Sequence, residues 1–246
     1  MRLAIENPEG EKAQHTYARL AGFLLLAVIV IALGSGVVLS RVAGSGTCAE
    51  TAKRIAASDH LYRAALSAAV IVSLGSALLA FALYATLKPV NSLLAQLAMI
   101  FTLEDSFLAL VVRMCAFVRV HLYLSAQSAG VQPISAQSLA DLMRSIAGTT
   151  ENLGGICFGI GSFLFFYLFL QSRYIPRALA ALGLGASAIW TSLYFTKLIF
   201  PKQHAFFQYI CFVPMVLAEV STGLYLMLFS IKAELPGRPV PDLMEP

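Results

Sequence analysis

Three acidic side chains lie inside otherwise apolar stretches of this sequence, and they are the residues best suited to chemistry. Glu104 and Asp105 fall near the middle of one stretch, and Glu219 falls near the middle of another. An ionised side chain at the centre of a bilayer costs about 2.5 to 3.5 kcal/mol on insertion scales, so such residues persist mainly where they face the interior of a helix bundle. The sequence therefore predicts a polar site within a membrane.

The chemistry of such a site depends on whether the third and sixth apolar stretches are neighbours. If they touch, two or three of the carboxylates meet. Close carboxylates in a low-dielectric site cannot all ionise, so at least one holds a proton or a cation binds between them. Either arrangement suits a proton or cation relay, or an anchor for the amine group of a ligand.

Two further charged residues are candidates for the same pocket. Arg113 lies about 13 Å further along its helix than Glu104, which is too far for a direct pair within one helix. It could instead meet Glu151, which begins the next apolar stretch. The alternative interpretation is a buried polar cluster that only holds helices together, with each hydrogen bond contributing about 0.6 to 2 kcal/mol.

Motifs for known enzyme or metal chemistry are missing from the sequence. It contains no Ser/His/Asp order, no HExxH or paired DxxxD motif, and its four cysteines form no CxxC or Cys/His metal spacing. We therefore predict no catalytic residue, no metal ligand and no cofactor. An intramembrane enzyme that acts on a lipid, with the same acids as metal ligands or as general acid and base, is the remaining enzymatic alternative.

Composition identifies the elements that must position these residues. Hydrophobic residues make up 59% of the 246 positions and charged residues only 12%, against roughly 45–50% and 25% in soluble domains. The net charge of +4 includes no long basic block, so we expect no nucleic acid as a partner. The partners we expect are membrane lipids and a small or amphipathic ligand, proton or cation. Nothing in the sequence specifies an oligomeric state.

Apolar runs of the length needed to cross a bilayer, about 20 residues, occur six times. The predicted fold is an all-α transmembrane bundle over residues 18–232, with tails at 1–17 and 233–246. The six predicted helices cover residues 18–42, 61–87, 91–124, 148–171, 177–198 and 205–232.

The connections between the runs differ in length on the two sides of the membrane. Short turns that contain proline follow the second and fourth runs, which predicts tight helical hairpins. The opposite connections are longer. Thr47 with Glu50, and Ser138 with Asp141, have the spacing of a capping box, which predicts short helices there. The segment after Pro133 either lies along the interface or extends the fourth membrane helix.

Basic residues are nearly balanced between the two sides, so the positive-inside rule does not decide the orientation. We expect both termini in the cytoplasm, because the tight basic turns and the charged N-terminal tail then need not be translocated. Small residues in the fourth and fifth runs, including the pair Gly155 and Gly159, predict close helix packing.

Nearly the whole chain resembles a known family, and the resemblance is clearest from the fourth apolar run onward. The stretch from Gly155 to Leu170, followed by the turn Ser172, Arg173, Tyr174, Ile175, Pro176, Arg177, is similar to the signature of the prokaryotic membrane family called domain of unknown function 4386. Other similar features are the helix with Pro214, Glu219 and Leu224, the opening Ala18 to Gly22, and the turn Lys88 to Asn91. The resemblance implies six helices and residence in a bacterial cytoplasmic membrane, and it implies no particular activity.

These observations support one leading hypothesis. The chain is expected to be a non-enzymatic membrane protein that binds or conducts a small ligand, proton or cation through a pocket at Glu104, Asp105 and Glu219, with Arg113 and Glu151 nearby. Its alternatives are a structural or assembly subunit without a ligand, and the lipid-modifying enzyme described above.

Overall fold

The described part of the chain forms seven helices, and six of them are long and apolar enough to cross a membrane. The computed structural model describes residues 8–44, 48–128, 133–200 and 205–231. Its helices are α1 (Pro8–Ala43), α2 (Cys48–Ala57), α3 (Asp59–Leu87), α4 (Ser92–Ser128), α5 (Pro133–Ser172), α6 (Arg177–Ile199) and α7 (Ala205–Phe229). The prediction of an all-α bundle with six membrane-spanning helices is confirmed.

The six long helices form a closed ring. Each packs against its neighbour in the chain, in the order α1, α3, α4, α5, α6 and α7, and α7 returns to pack against α1. The short helix α2 caps the end of the ring at which α1 ends and α3 begins, beside α4. In this order α4 and α7 lie opposite each other. Side chains of these two helices that point inward therefore meet across the ring, without close packing of the helices themselves.

Two helix ends that lie close together fix the end of the ring where the chain enters and leaves. His15, in the first part of α1, is hydrogen-bonded through Nδ1 to the hydroxyl of Ser230, just after α7, at 2.9 Å. Gln14 donates from Nε2 to the backbone oxygen of Thr86 at 2.7 Å and to the hydroxyl of Tyr174 at 3.0 Å. We call this end the packed end, because buried side chains fill it.

The core of the packed end consists of apolar residues from all six long helices. Its largest fully buried side chains include Leu87, Leu168, Phe169, Ile175 and Leu226. Both tight turns join this core, and the turn after α5 uses the left-handed backbone conformation of Arg173, with φ of 58°. Its Tyr174 and Ile175 are buried. This turn is the sequence motif that carried the family resemblance, and it closes the ring by packing inward.

Glycines allow close approach where neighbouring helices cross. A Cβ on Gly159 would overlap the Thr191 side chain, and one on Gly183 would overlap the Phe166 ring. Where α1 meets α7, a Cβ on Gly22 would lie 2.7 Å from the backbone oxygen of Gly223. The prediction that these small residues in α5 and α6 mark packing faces is confirmed at Gly155, Gly159 and Gly183, whereas Gly185 faces open space.

Several helices extend beyond their predicted bounds. The helix α5 begins at Pro133 rather than at residue 148, so the segment after Pro133 continues the membrane helix and is not a separate interfacial segment. Ser138 and Asp141 accordingly lie within α5 and do not begin a helix. A separate short helix does follow α1, with Glu50 in its first turn. Its proposed cap Thr47 is outside the described residues.

Candidate functional site

A cavity of about 400 Å³ occupies the ring beyond the packed end. All six membrane-spanning helices contribute to its wall. Four charged side chains line it: Asp105 and Arg113 from α4, Glu151 from α5 and Glu219 from α7. This volume is in the usual range for small-molecule sites, about 300 to 1,000 Å³.

The carboxylates of Asp105 and Glu219 form the deepest polar part of the cavity. At a rise of about 1.5 Å per residue, Asp105 lies about 20 Å from the start of α4 and Glu219 about 15 Å from the end of α7. Both positions are near mid-membrane depth, and the two side chains interact electrostatically across the ring. Glu219 is partly buried and lines the cavity.

Neither of these two carboxylates has a hydrogen bond or an ion pair with any residue that the structure describes. Buried polar groups in native proteins are nearly always hydrogen-bonded. Gly154 lies beside the acid on α4, since a Cβ there would be 3.0 Å from Oδ1 of Asp105. The two acids thus present free oxygens to the same space.

Arg113 and Glu151 line the cavity about 12 Å further from the packed end, which corresponds to eight residues of α4. Arg113 interacts electrostatically with both Glu151 and Asp105. Its Nε atom is fully buried and has no hydrogen-bond partner among the described residues. Glu151 lines the cavity and is also exposed, so the cavity opens beside it.

Glu104 does not join this group. Consecutive residues of an α-helix point about 100° apart, because about 3.6 residues make one turn, and Asp105 is the one of the two adjacent acids that lines the cavity. The Glu104 side chain is exposed on the outer surface, where the thiol of Cys157 donates to its Oε2 at 3.7 Å. Which of two adjacent acids faces inward depends on the rotation of α4 in the ring, which the sequence does not specify.

An aromatic wall completes the cavity, and the sequence did not predict it. Its members are Phe158, Trp190, Tyr194 and Phe212. The Trp190 ring stacks on Tyr194 with centroids 5.2 Å apart, and it contacts Phe158 edge-on at 5.4 Å and Phe212 at 6.3 Å. No sequence pattern indicates this cluster, because its four members come from three helices.

The glycine pair of α5 holds this aromatic wall in place. Gly155 has no side chain, and a Cβ at that position would overlap the Tyr194 ring. Its backbone oxygen accepts a hydrogen bond of 3.1 Å from Nε1 of Trp190. The small residue therefore brings α6 close to α5 and fixes the orientation of the indole ring.

The arrangement can hold a ligand through carboxylates, an arginine and aromatic faces. Within the described ranges no group of three or more His, Cys, Asp or Glu side chains has the geometry for a metal ion. The hydroxyls of Ser73 and Ser106 line the wall and donate to backbone oxygens of their own helices at 3.3 and 2.9 Å. The acids are consequently the strongest ligand-binding groups of the cavity.

Comparisons with known proteins give one match. The model of the family described as "Domain of unknown function (DUF4386)" matches residues 20–229, which include every residue of the cavity wall. No curated protein and no solved structure matches the chain.

Proposed function

The chain belongs to the family of domains of unknown function DUF4386, and we propose that it binds or conducts a small ligand, proton or cation at Asp105 and Glu219. One observation carries the proposal. These two acids, from helices on opposite sides of the ring, face one cavity and have no hydrogen-bond or ion-pair partner among the described residues. A partner from outside the chain would satisfy them.

A purely structural role for the two acids explains the geometry less well. Polar side chains that hold membrane helices together do so by hydrogen bonds between the helices. The acids on α4 and α7 make no such bond to the part of the chain that the structure describes. A buried carboxyl group without a hydrogen-bond partner reduces stability, whether it is ionised or neutral. Retaining two of them therefore favours a role in binding.

Access to the acids supports binding from one side of the membrane. The cavity opens beside Glu151, whereas the buried apolar core around Phe169 and Leu226 closes the ring on the other side. In this conformation the acids are accessible from the end that α2 caps. Conduction through the ring would require the packed end to open.

We also propose that the protein resides in a bacterial cytoplasmic membrane with both termini in the cytoplasm. Six spans place the two ends of the chain on the same side, and the contact between His15 and Ser230 brings α1 and α7 together there. The basic turn residues Lys88, Arg173 and Arg177 lie on that side, and cytoplasmic loops commonly carry an excess of Lys and Arg. Reporter fusions at the C-terminus test this, and an extracytoplasmic signal would contradict it.

The single tryptophan provides a direct test of the binding site. Trp190 is the only tryptophan of the chain and lines the cavity, so its emission reports on events there. The purified protein in nanodiscs is titrated with protons, Na⁺, Mg²⁺ and tetramethylammonium. We expect at least one of these probes to change the Trp190 emission with saturation.

Matched variants show whether such a response involves the acids. Asp105→Asn and Glu219→Gln should weaken the response by about tenfold or more while the protein still assembles. Glu104→Gln is the matched control, because it removes an adjacent acid outside the cavity and should leave the response unchanged. Three results would contradict the proposal. The parent protein would show no response, or all three variants would respond equally, or only the two cavity variants would fail to assemble. The last result would favour a structural role.

A further inference from the structure

Charge balance in the cavity favours a cationic ligand. Three carboxylates and one guanidinium line the wall. Arg113 interacts with Glu151 near the opening, and the opposite charges of these two side chains largely cancel. The deeper pair, Asp105 and Glu219, has no such compensation apart from the more distant interaction of Asp105 with Arg113. A positive group bound between the two acids would supply it.

The aromatic wall favours an organic cation over a metal ion. Aromatic faces attract weakly hydrated cations, and cages of such rings recognise quaternary ammonium groups. Phe158, Trp190, Tyr194 and Phe212 line the same cavity as the acids. The Tyr194 ring already contacts a cation, since Nζ of Lys197 lies 4.2 Å from its centroid. This contact shows that a ring of the aromatic wall can interact with an ammonium group.

Metal ions fit the same wall less well. Calcium binds about six to eight oxygen ligands, and magnesium requires near-octahedral oxygen coordination. The two deep acids supply at most four carboxylate oxygens from opposite sides of the ring, and the Tyr194 hydroxyl is the one side-chain oxygen of the aromatic wall. This set leaves the coordination shell of a desolvated calcium or magnesium ion incomplete.

Much of the remaining wall is apolar, with the hydroxyl side chains of Ser73, Ser76 and Ser106 between the apolar residues. Val28, Ile29 and Leu33 of α1 and Val72 of α3 line the side of the cavity that α1 and α3 form. A ligand that fills a volume of about 400 Å³ would place carbon against these side chains, and burial of that apolar surface would contribute to its affinity.

We infer that the ligand is an amphiphilic organic ammonium ion, whose charged head lies between Asp105, Glu219 and the aromatic wall and whose apolar part contacts α1 and α3. This inference rests on the proposed function and specifies its ligand class.

The first experiment compares three probes that share an apolar chain and differ in their head group. They are hexyltrimethylammonium, its uncharged isostere with a tert-butyl group in place of trimethylammonium, and hexanesulfonate. Binding to the protein in nanodiscs is followed by Trp190 emission, with empty nanodiscs subtracted for partitioning into lipid. We expect the cation to bind about tenfold or more tightly than either of the others. Equal affinity for the cation and its isostere would overturn the inference.

The second experiment removes aromatic rings and leaves Trp190 as the reporter. Tyr194→Leu and Phe158→Leu should each weaken hexyltrimethylammonium binding by about threefold to tenfold, and Tyr194→Phe should retain most of it because the ring remains. Phe107→Leu is the matched control, since Phe107 is 67% exposed on the outer surface of α4. If Phe107→Leu weakened binding as much as Phe158→Leu, the effect would not come from the cavity, and the inference would fail.

The two proposals fail in different ways. If Na⁺ or protons give a Trp190 response that requires Glu219 while hexyltrimethylammonium gives none, the ammonium class is wrong and the proposed function stands. If Asp105→Asn and Glu219→Gln leave the response to every probe unchanged, both proposals are wrong.

Discussion

The packed end and the cavity end of the ring are built from the same helices in opposite ways. At the packed end, large side chains such as Phe166 and Phe169 fill the space between helices, and glycines allow close contact. At the cavity end, the same helices leave about 400 Å³ open and place Asp105 and Glu219 in it without a hydrogen bond or ion pair to any residue in the described ranges.

This difference separates the sources of stability and function along the membrane normal. Lipid provides little hydrophobic drive for helix association, so close packing must hold the bundle together. The packed end supplies that contact. The cavity end retains unsatisfied polar groups, which are typical of sites where stability is reduced for function. Substitutions at the two ends should consequently change the stability of the protein by different amounts and in different directions.

The largest effect should come from truncating a phenylalanine at the packed end. Phe169 is 2% exposed and Phe212, in the cavity wall, is 39% exposed. We expect Phe169→Ala to lower the free energy of unfolding by about 3 to 5 kcal/mol, because it leaves a void in close-packed surroundings. Phe212→Ala should cost less than half as much, since part of its surface contacts no protein. Unfolding in mixed micelles, followed by circular dichroism, measures both values, and equal losses would contradict the distinction between the two ends.

A smaller effect should come from adding one methyl group to α6. A Cβ at Gly183 would overlap the Phe166 ring, whereas a Cβ at Gly185 would meet nothing within 4 Å. We expect Gly183→Ala to destabilise the protein by about 1 to 3 kcal/mol through overpacking. Gly185→Ala should be neutral or stabilise it by up to about 1 kcal/mol, because alanine has the higher helix propensity. The melting temperatures of the two variants provide the measurement. A loss at Gly185 as large as that at Gly183 would show that overlap with the Phe166 ring does not account for the loss at Gly183.

The sequence predicted the helices of both ends but not how their side chains fill the packed end or surround the cavity. Runs of apolar residues were sufficient for six spans, because the hydrocarbon thickness sets helix length. The same reasoning underestimated α5, which starts at Pro133 rather than at residue 148. Polar residues such as Asp141 interrupt hydropathy without interrupting the helix.

The candidate site was only partly predictable for a geometric reason. Depth along each helix can be counted, and that count placed Asp105 and Glu219 at similar levels. Rotation about each helix axis and the order of helices in the ring depend on long-range packing. Glu104 was therefore predicted to line the pocket, although it faces outward. The aromatic wall could not be predicted, because Phe158, Trp190 and Phe212 converge only when the ring closes.

The smallest effect should come from a buried hydroxyl between the two ends. Thr222 of α7 is 2% exposed and lies one turn beyond Glu219. Its Oγ1 atom has no hydrogen-bond partner among the residues that the structure describes. At the packed end, by contrast, the fully buried Thr86 donates from Oγ1 to the backbone oxygen of Ala82 at 2.8 Å. The two threonines thus differ in whether the hydroxyl is satisfied.

Replacing each threonine by valine keeps the shape and removes the hydroxyl, so it isolates that difference. Loss of a formed hydrogen bond costs about 0.5 to 1.5 kcal/mol, whereas removing an unsatisfied polar atom is neutral or stabilising. We expect Thr86→Val to lower the melting temperature and Thr222→Val to leave it unchanged or raise it. Equal losses in the two variants would mean that Thr222 has a hydrogen-bond partner in the membrane. In that case the boundary between the two ends, drawn at the last helix position of α7 without a hydrogen-bond partner among the described residues, would lie at Glu219 itself.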